Sequence, residues 1–151
     1  MTYELVVRSR RRFAFIPHDL RYFQDHFVCQ PMSTDWEVPP VQVIGKSYKS
    51  ADFVSWMQRA PVVSPRAKAA LANVRSGLIE FLPFHPIKGV EHFAINVLSL
   101  DDRKPIHKTH PQSVIFVNDD FGRILRDNAL SGVELADPTD ENSRRSSAAS
   151  M

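Results

Sequence analysis

Apolar positions along this chain come in short runs, separated by prolines, charges and turn formers. "YELVV" (3–7) and "FAFI" (13–16) read as short strands on either side of an arginine cluster, which places those arginines in or beside a hairpin connection. From Pro17 to about Lys49 the pattern loosens into loop, with one short strand near Val41 to Ile44. "SADFVSWMQ" (50–58) reads as a short helix, with Ser50 as cap, Asp52 in the first turn and Phe53, Val54 and Met57 on one face. Trp56 lies off that stripe.

"APVVSPRAKAAL" (60–71) opens a second helix. Ser64 is an N-cap and Pro65 takes the first helical position, where a missing amide hydrogen costs nothing. Ala67, Ala70, Leu71 and Val74 then share a face, and Gly77 is placed to end the helix. No base lies near Ser64 in the sequence, so it reads as a cap and not a nucleophile. Three strand-like runs follow: "LIEFLPF" (78–84), "EHFAINVLSL" (91–100) and "SVIFV" (113–117). In the second, Phe93, Ile95 and Val97 alternate with His92, Ala94 and Asn96, the pattern of a strand with one buried face. "DDRKPIHKTHPQ" (101–112) reads as a polar loop. "NDDFGRILRDNALSG" is a capped helix starting at Asn118 or Asp119, with Gly122 inside it and Gly132 after it, and "VEL" (133–135) is a last short strand.

The longest strands are joined by short or helix-free connections. That favours α+β with a mainly antiparallel sheet and two or three short helices packed on it, over a doubly wound parallel fold. The 151 residues are 43% hydrophobic and 24% charged, the size and balance of one globular domain, assigned here to residues 1–136. From Asp137 to Met151 there is almost nothing to bury, so a disordered tail is expected. A single cysteine, Cys29, makes an internal disulfide impossible. The N-terminal arginines follow a short apolar stretch, the reverse of a signal peptide, and a cytoplasmic location is expected.

Net charge is +2, with basic residues concentrated at Arg8, Arg10, Arg11 and Arg12. A basic cluster followed by Phe13 and Phe15 keeps open a small nucleic-acid or acidic-partner binding module built on Arg8–Arg12, although a strand face explains those phenylalanines more simply. Chemistry-bearing groups are sparse. His107 and His110 are spaced as two metal ligands would be, without a third. His18, Asp19, Asp25 and His26 form histidine–aspartate pairs of a hydrolytic kind, and Cys29 lies three residues from His26. The scattered glycines build no phosphate loop or dinucleotide fingerprint. No catalytic residue, cofactor or metal site is therefore assigned, and an enzyme is not expected.

Taken in order, "DWEVPP", "SADFVSW", "PVVSPRAKAAL", "IEFLPF", "HFAINVLSLDD" and "VIFVNDDFGRILRDNALSGVEL" resemble a family. They are similar to the bacterial polymorphic-toxin immunity proteins of the family usually numbered eleven, formerly a domain of unknown function. The resemblance runs over about residues 35–136 and is strongest in its last third. Where members carry a longer insertion with further strands, this chain has only "RKPIHKTHPQ". The resemblance implies a protein that binds one cognate toxin domain and neutralises it by tight protein–protein contact. On that reading Trp36 and Trp56 are candidate aromatic anchors, and Asp101 and Asp102 are candidate charges toward a basic toxin.

Overall fold

The computed structural model describes residues 1–8, 14–17, 21–44, 51–57, 59–74, 77–87 and 89–138. Its architecture is α+β, with two four-stranded antiparallel sheets, a two-stranded ribbon and three short helices in one domain. The strands are β1 (Thr2–Val7), β2 (Ala14–Pro17), β3 (Val41–Ile44), β4 (Phe53–Met57), β5 (Ala60–Val63), β6 (Ile79–Pro83), β7 (Phe93–Val97), β8 (Ile106–Lys108), β9 (Ile115–Asn118) and β10 (Val133–Ala136). The helices are α1 (Tyr22–Asp25), α2 (Pro65–Leu71) and α3 (Asp119–Asp127). No helix among the described residues is long and apolar enough to cross a membrane.

One sheet runs β10-β1-β9-β8 and the other β4-β5-β7-β6, while β2 pairs with β3. β1 and β2 are therefore not the two arms of a hairpin. Both edges of β1 are taken by strands from the far end of the chain, Val7 opposite Val133 and Thr2 opposite Asn118. Arg8 follows β1 and its Nε lies 2.5 Å from Glu134 of β10. Residues 9–13, with the rest of the arginine cluster, lie outside the described residues, as do Ser50 and the tail from 139 onward.

The β4-β5-β7-β6 sheet is covered on both faces, and alternation decides which side chain goes where. Val63, Phe93, Ile95 and Val97 join a core with Leu5, Val7, Ile106, Ile115, Val117, Phe121 and Leu125. Val54, Trp56, Val62, Leu82 and Ala94 form a second core with Phe23 and Phe27. All of β7 is consequently buried, not one face of it, because residues from the 21–39 segment pack on the side expected to meet water.

Residues 53–57 form a strand, not a helix. β4 pairs antiparallel with β5 through an irregularity between Val54 and Met57. A run this short has little helical stability of its own, whereas in a hairpin Phe53 serves one core and Val54 and Trp56 the other. Asp52 becomes a junction between chain segments. Its carboxylate accepts from Ser64 Oγ (2.9 Å), Arg66 (3.0 Å) and the Ser131 amide (3.0 Å).

The caps follow the sequence pattern. Ser64 Oγ accepts from the Ala67 amide at 3.1 Å, and Asn118 Oδ1 accepts from the Phe121 amide at 3.1 Å. α2 ends at Leu71, well before Gly77, which has φ +87° in the turn leading to β6. Within the expected polar loop lies β8, whose residues are all buried. It pairs with β9, and the Lys108 amide donates to Ser99 O at 2.9 Å.

Candidate partner-binding cleft

Residues 21–39 contain only α1 and a single 3-10 turn at Ser33–Asp35, yet they are anchored along their length. Phe23 and Phe27 are fully buried in the second core. To turn back over the sheet, the chain puts Phe27 and Cys29 in the left-handed region, at φ 59° and 62°. Each costs on the order of 1 kcal/mol or more for a residue with a side chain, so other contacts must hold the turn.

Buried polar groups supply them. Lys108, fully buried, donates from Nζ to Phe27 O at 2.8 Å. Asn96, also fully buried, donates from Nδ2 to Gln30 O at 2.8 Å and to Glu80 Oε1 at 2.7 Å. The same Glu80 oxygen accepts from the Met32 amide at 2.5 Å. Each bond spans a long stretch of sequence, so the sheets hold the loop in addition to its own local bonds.

Aromatic rings set in edge-on pairs form the floor. Trp56 meets Phe23 at 4.8 Å, Phe84 at 5.0 Å and Phe27 at 5.5 Å between centroids. Trp36 stands over the array, 6.0 Å from Phe84 and 6.1 Å from Phe27, and its indole Nε1 donates to Pro83 O at 2.7 Å. Tyr22 and His26 stack in parallel at 4.0 Å. The carbonyl of Tyr22 only accepts, so His26 Nδ1, 2.7 Å away, carries its proton and donates. Burial pushes the Tyr22 hydroxyl up to about 12, so the ring stays neutral.

These walls enclose a cleft of about 420 Å³. Tyr22, His26, Met32 and Trp36 line it, and the exposed residues Asp35 and Glu37 stand on its rim. Such a surface offers rigid aromatic area at low entropic cost together with negative charge.

The four residues singled out from sequence fall in different places. Trp36 is in the cleft. Trp56 lies beneath it at 5% exposure, and its indole Nε1 finds no acceptor among the described residues, so it supports the floor without reaching the surface. Asp101 closes a turn, accepting from the Arg103 amide and guanidinium at 3.0 Å, and those bonds hold its carboxyl down at about 2. Asp102 is exposed beside it, and neither aspartate lines the cleft.

Tyr22, His26, Met32, Asp35 and Glu37 were not legible as a site, because a loop has no periodicity. One local signal existed: in "DWEVPP" a tryptophan sits between two acids in a segment without an apolar face to bury it. Among the described residues the alternative chemistries do not assemble. His107 faces Phe116 from β8, and His110 accepts from the Gln112 amide in the following turn. Cys29 is buried, which raises its thiol and opposes the thiolate a nucleophile needs. His18 and Asp19 lie outside the described residues. Among the described residues no three His, Cys, Asp or Glu side chains gather as a metal site. Comparisons with protein-family models, with curated proteins and with solved structures each return no match, so the reading of this cleft rests on its own geometry.

Proposed function

We propose that this chain is an immunity-type protein, one that binds a cognate bacterial toxin domain and neutralises it by protein–protein contact. The observation that carries the reading is Trp36, a half-buried indole fixed by its bond to Pro83 O on a loop clamped from beneath. An aromatic anchor ordered before the partner arrives loses little entropy on binding, and such residues dominate interface energetics. The acidic rim favours a basic partner surface and speeds the encounter with one. Of the arginine cluster only Arg8 is among the described residues, and it is turned to Glu134 with its side chain 7% exposed.

The test is affinity capture of the chain from its host with partners read by mass spectrometry, followed by co-expression. A stoichiometric partner whose C-terminal domain kills cells, and is silenced by this chain, is the expected result. Trp36→Ala should then weaken the complex by roughly 30-fold, the scale of one interface hot spot. Recovery of the chain alone, or with nucleic acid, would overturn the proposal.

A further inference from the structure

We infer that the cleft between Tyr22, Trp36 and the carboxylates of Asp35 and Glu37 receives an arginine side chain from a basic segment of the protein partner. This rests on the partner-binding reading above and gives the contact its chemistry. The cleft volume of about 420 Å³ lies at the low end of ligand-sized pockets, enough for one long side chain and its flanking backbone. Its lining includes the indole of Trp36 and the phenol ring of Tyr22 stacked on the His26 imidazole, and the faces of such rings attract a cation through the quadrupole.

Charge adds to the same spot. Asp35 and Glu37 are exposed and make no ion pair among the described residues; Asp25, Glu91, Asp102 and Asp127 share that property, but only Asp35 and Glu37 line the cleft. A cation entering the cleft gains attraction from both carboxylates without displacing an existing ion-pair partner among the described residues.

Arginine fits better than lysine. A guanidinium is planar, lies flat on an aromatic face and offers a fork of donors to a carboxylate, and it sheds water more readily than an ammonium. The apolar parts of Met32, Val38 and Pro39 along the cleft suit the methylene stem of the same side chain.

The probe is an acetylated hexa-arginine peptide, with hexa-lysine as its comparison, titrated into the full chain at low ionic strength. The readout is the pair of tryptophan indole NH signals in two-dimensional NMR, which separates Trp36 from Trp56. A saturable shift at Trp36 is expected, with hexa-lysine binding several-fold more weakly. The Asp35→Asn/Glu37→Gln double variant should bind about 5–10-fold more weakly, as expected for two partly exposed charges. The Asp101→Asn/Asp102→Asn variant should match the wild type. No saturable Trp36 shift, equal affinity for both peptides, or equal losses in both double variants would overturn the inference. The partner capture separates the two proposals. A toxin held equally well by the Asp35→Asn/Glu37→Gln variant leaves the immunity reading standing and removes the arginine site. Arginine-selective peptide binding without a toxin partner does the reverse.

Discussion

Lys108 is the residue whose position was least readable and whose consequences are most easily measured. In "PIHKTH" it looks like one more surface cation, yet it is fully buried and holds the Phe27 carbonyl. Burial lowers its ammonium from 10.5 to about 8. Between those values the unfolded chain holds the proton and the folded chain has released it. Stability from this group therefore rises as pH climbs from about 8 to about 10.5, by at most roughly 3 kcal/mol. Cys29 acts in the opposite sense, since its raised thiol pKa makes stability fall as pH passes through the ordinary thiol range. Urea midpoints of wild type and Lys108→Met at pH 7.5 and pH 10 separate the two. The wild type should gain stability relative to the variant at the higher pH, and parallel behaviour would remove the lysine from the account. Trp56 offers a second residue-level test. Its indole NH is buried without an acceptor among the described residues, so Trp56→Phe loses ring area but also sheds a desolvated donor, and a cost of about 1–2 kcal/mol is expected in thermal unfolding.

Among the elements, those whose signal is local matched expectation. Ser64 and Asn118 announce their helices because the cap hydrogen bonds reach only three residues ahead. Asn118→Ala should cost about 1 kcal/mol in unfolding free energy. β4 and β8 were misread because pairing, not their own sequence, makes them strands. Phe53, Val54 and Met57 fit a helical face on paper, and Trp56, which did not fit, pointed the other way. β8 contains one apolar residue in "IHK", so only its bonds to β9 and to Ser99 reveal it. Gly132 shows how tightly β4 and β10 are joined. At φ +80°, a Cβ there would meet Phe53 O at 2.4 Å and Ala51 Cβ at 2.7 Å. Gly132→Ala combines left-handed backbone strain with overpacking against backbone, and a loss of about 2–4 kcal/mol is expected in denaturant titration.

At the scale of the molecule, the α+β class and the antiparallel pairing were legible from strand spacing and short connections. The division into two sheets was not, since nothing in "YELVV" says that its neighbours are "IFVN" and "VELA". The cleft shared that fate. Its floor comes from β4 and residues after β6, its clamps from β6, β7 and β8, and its rim from a loop, so only the finished fold brings them together. By alternation Asn96 falls on the face of β7 opposite Phe93, Ile95 and Val97. It is buried because the 21–39 segment needs a donor at Gln30. Asn96→Ala should therefore loosen the loop more than the sheet: faster amide exchange is expected at residues 27–32 while β6 and β7 stay protected.

The pairing of β1 also sets a timetable. Thr2 waits for Asn118 and Glu4 for Ala136, so β1 leaves the ribosome well before either of its partner strands. Its apolar residues Leu5 and Val7 lack their sheet neighbours over that interval, in which a nascent chain is open to chaperones or to other nascent chains. Closure of this sheet is the step with the longest loops to bring together, and refolding should be limited by it, on the millisecond-to-second scale of non-local β pairing. Moving β1 to follow β10 through a short linker would bring one of its two neighbours close in sequence. A faster refolding limb with little change in unfolding rate is the expected signature in stopped-flow measurements.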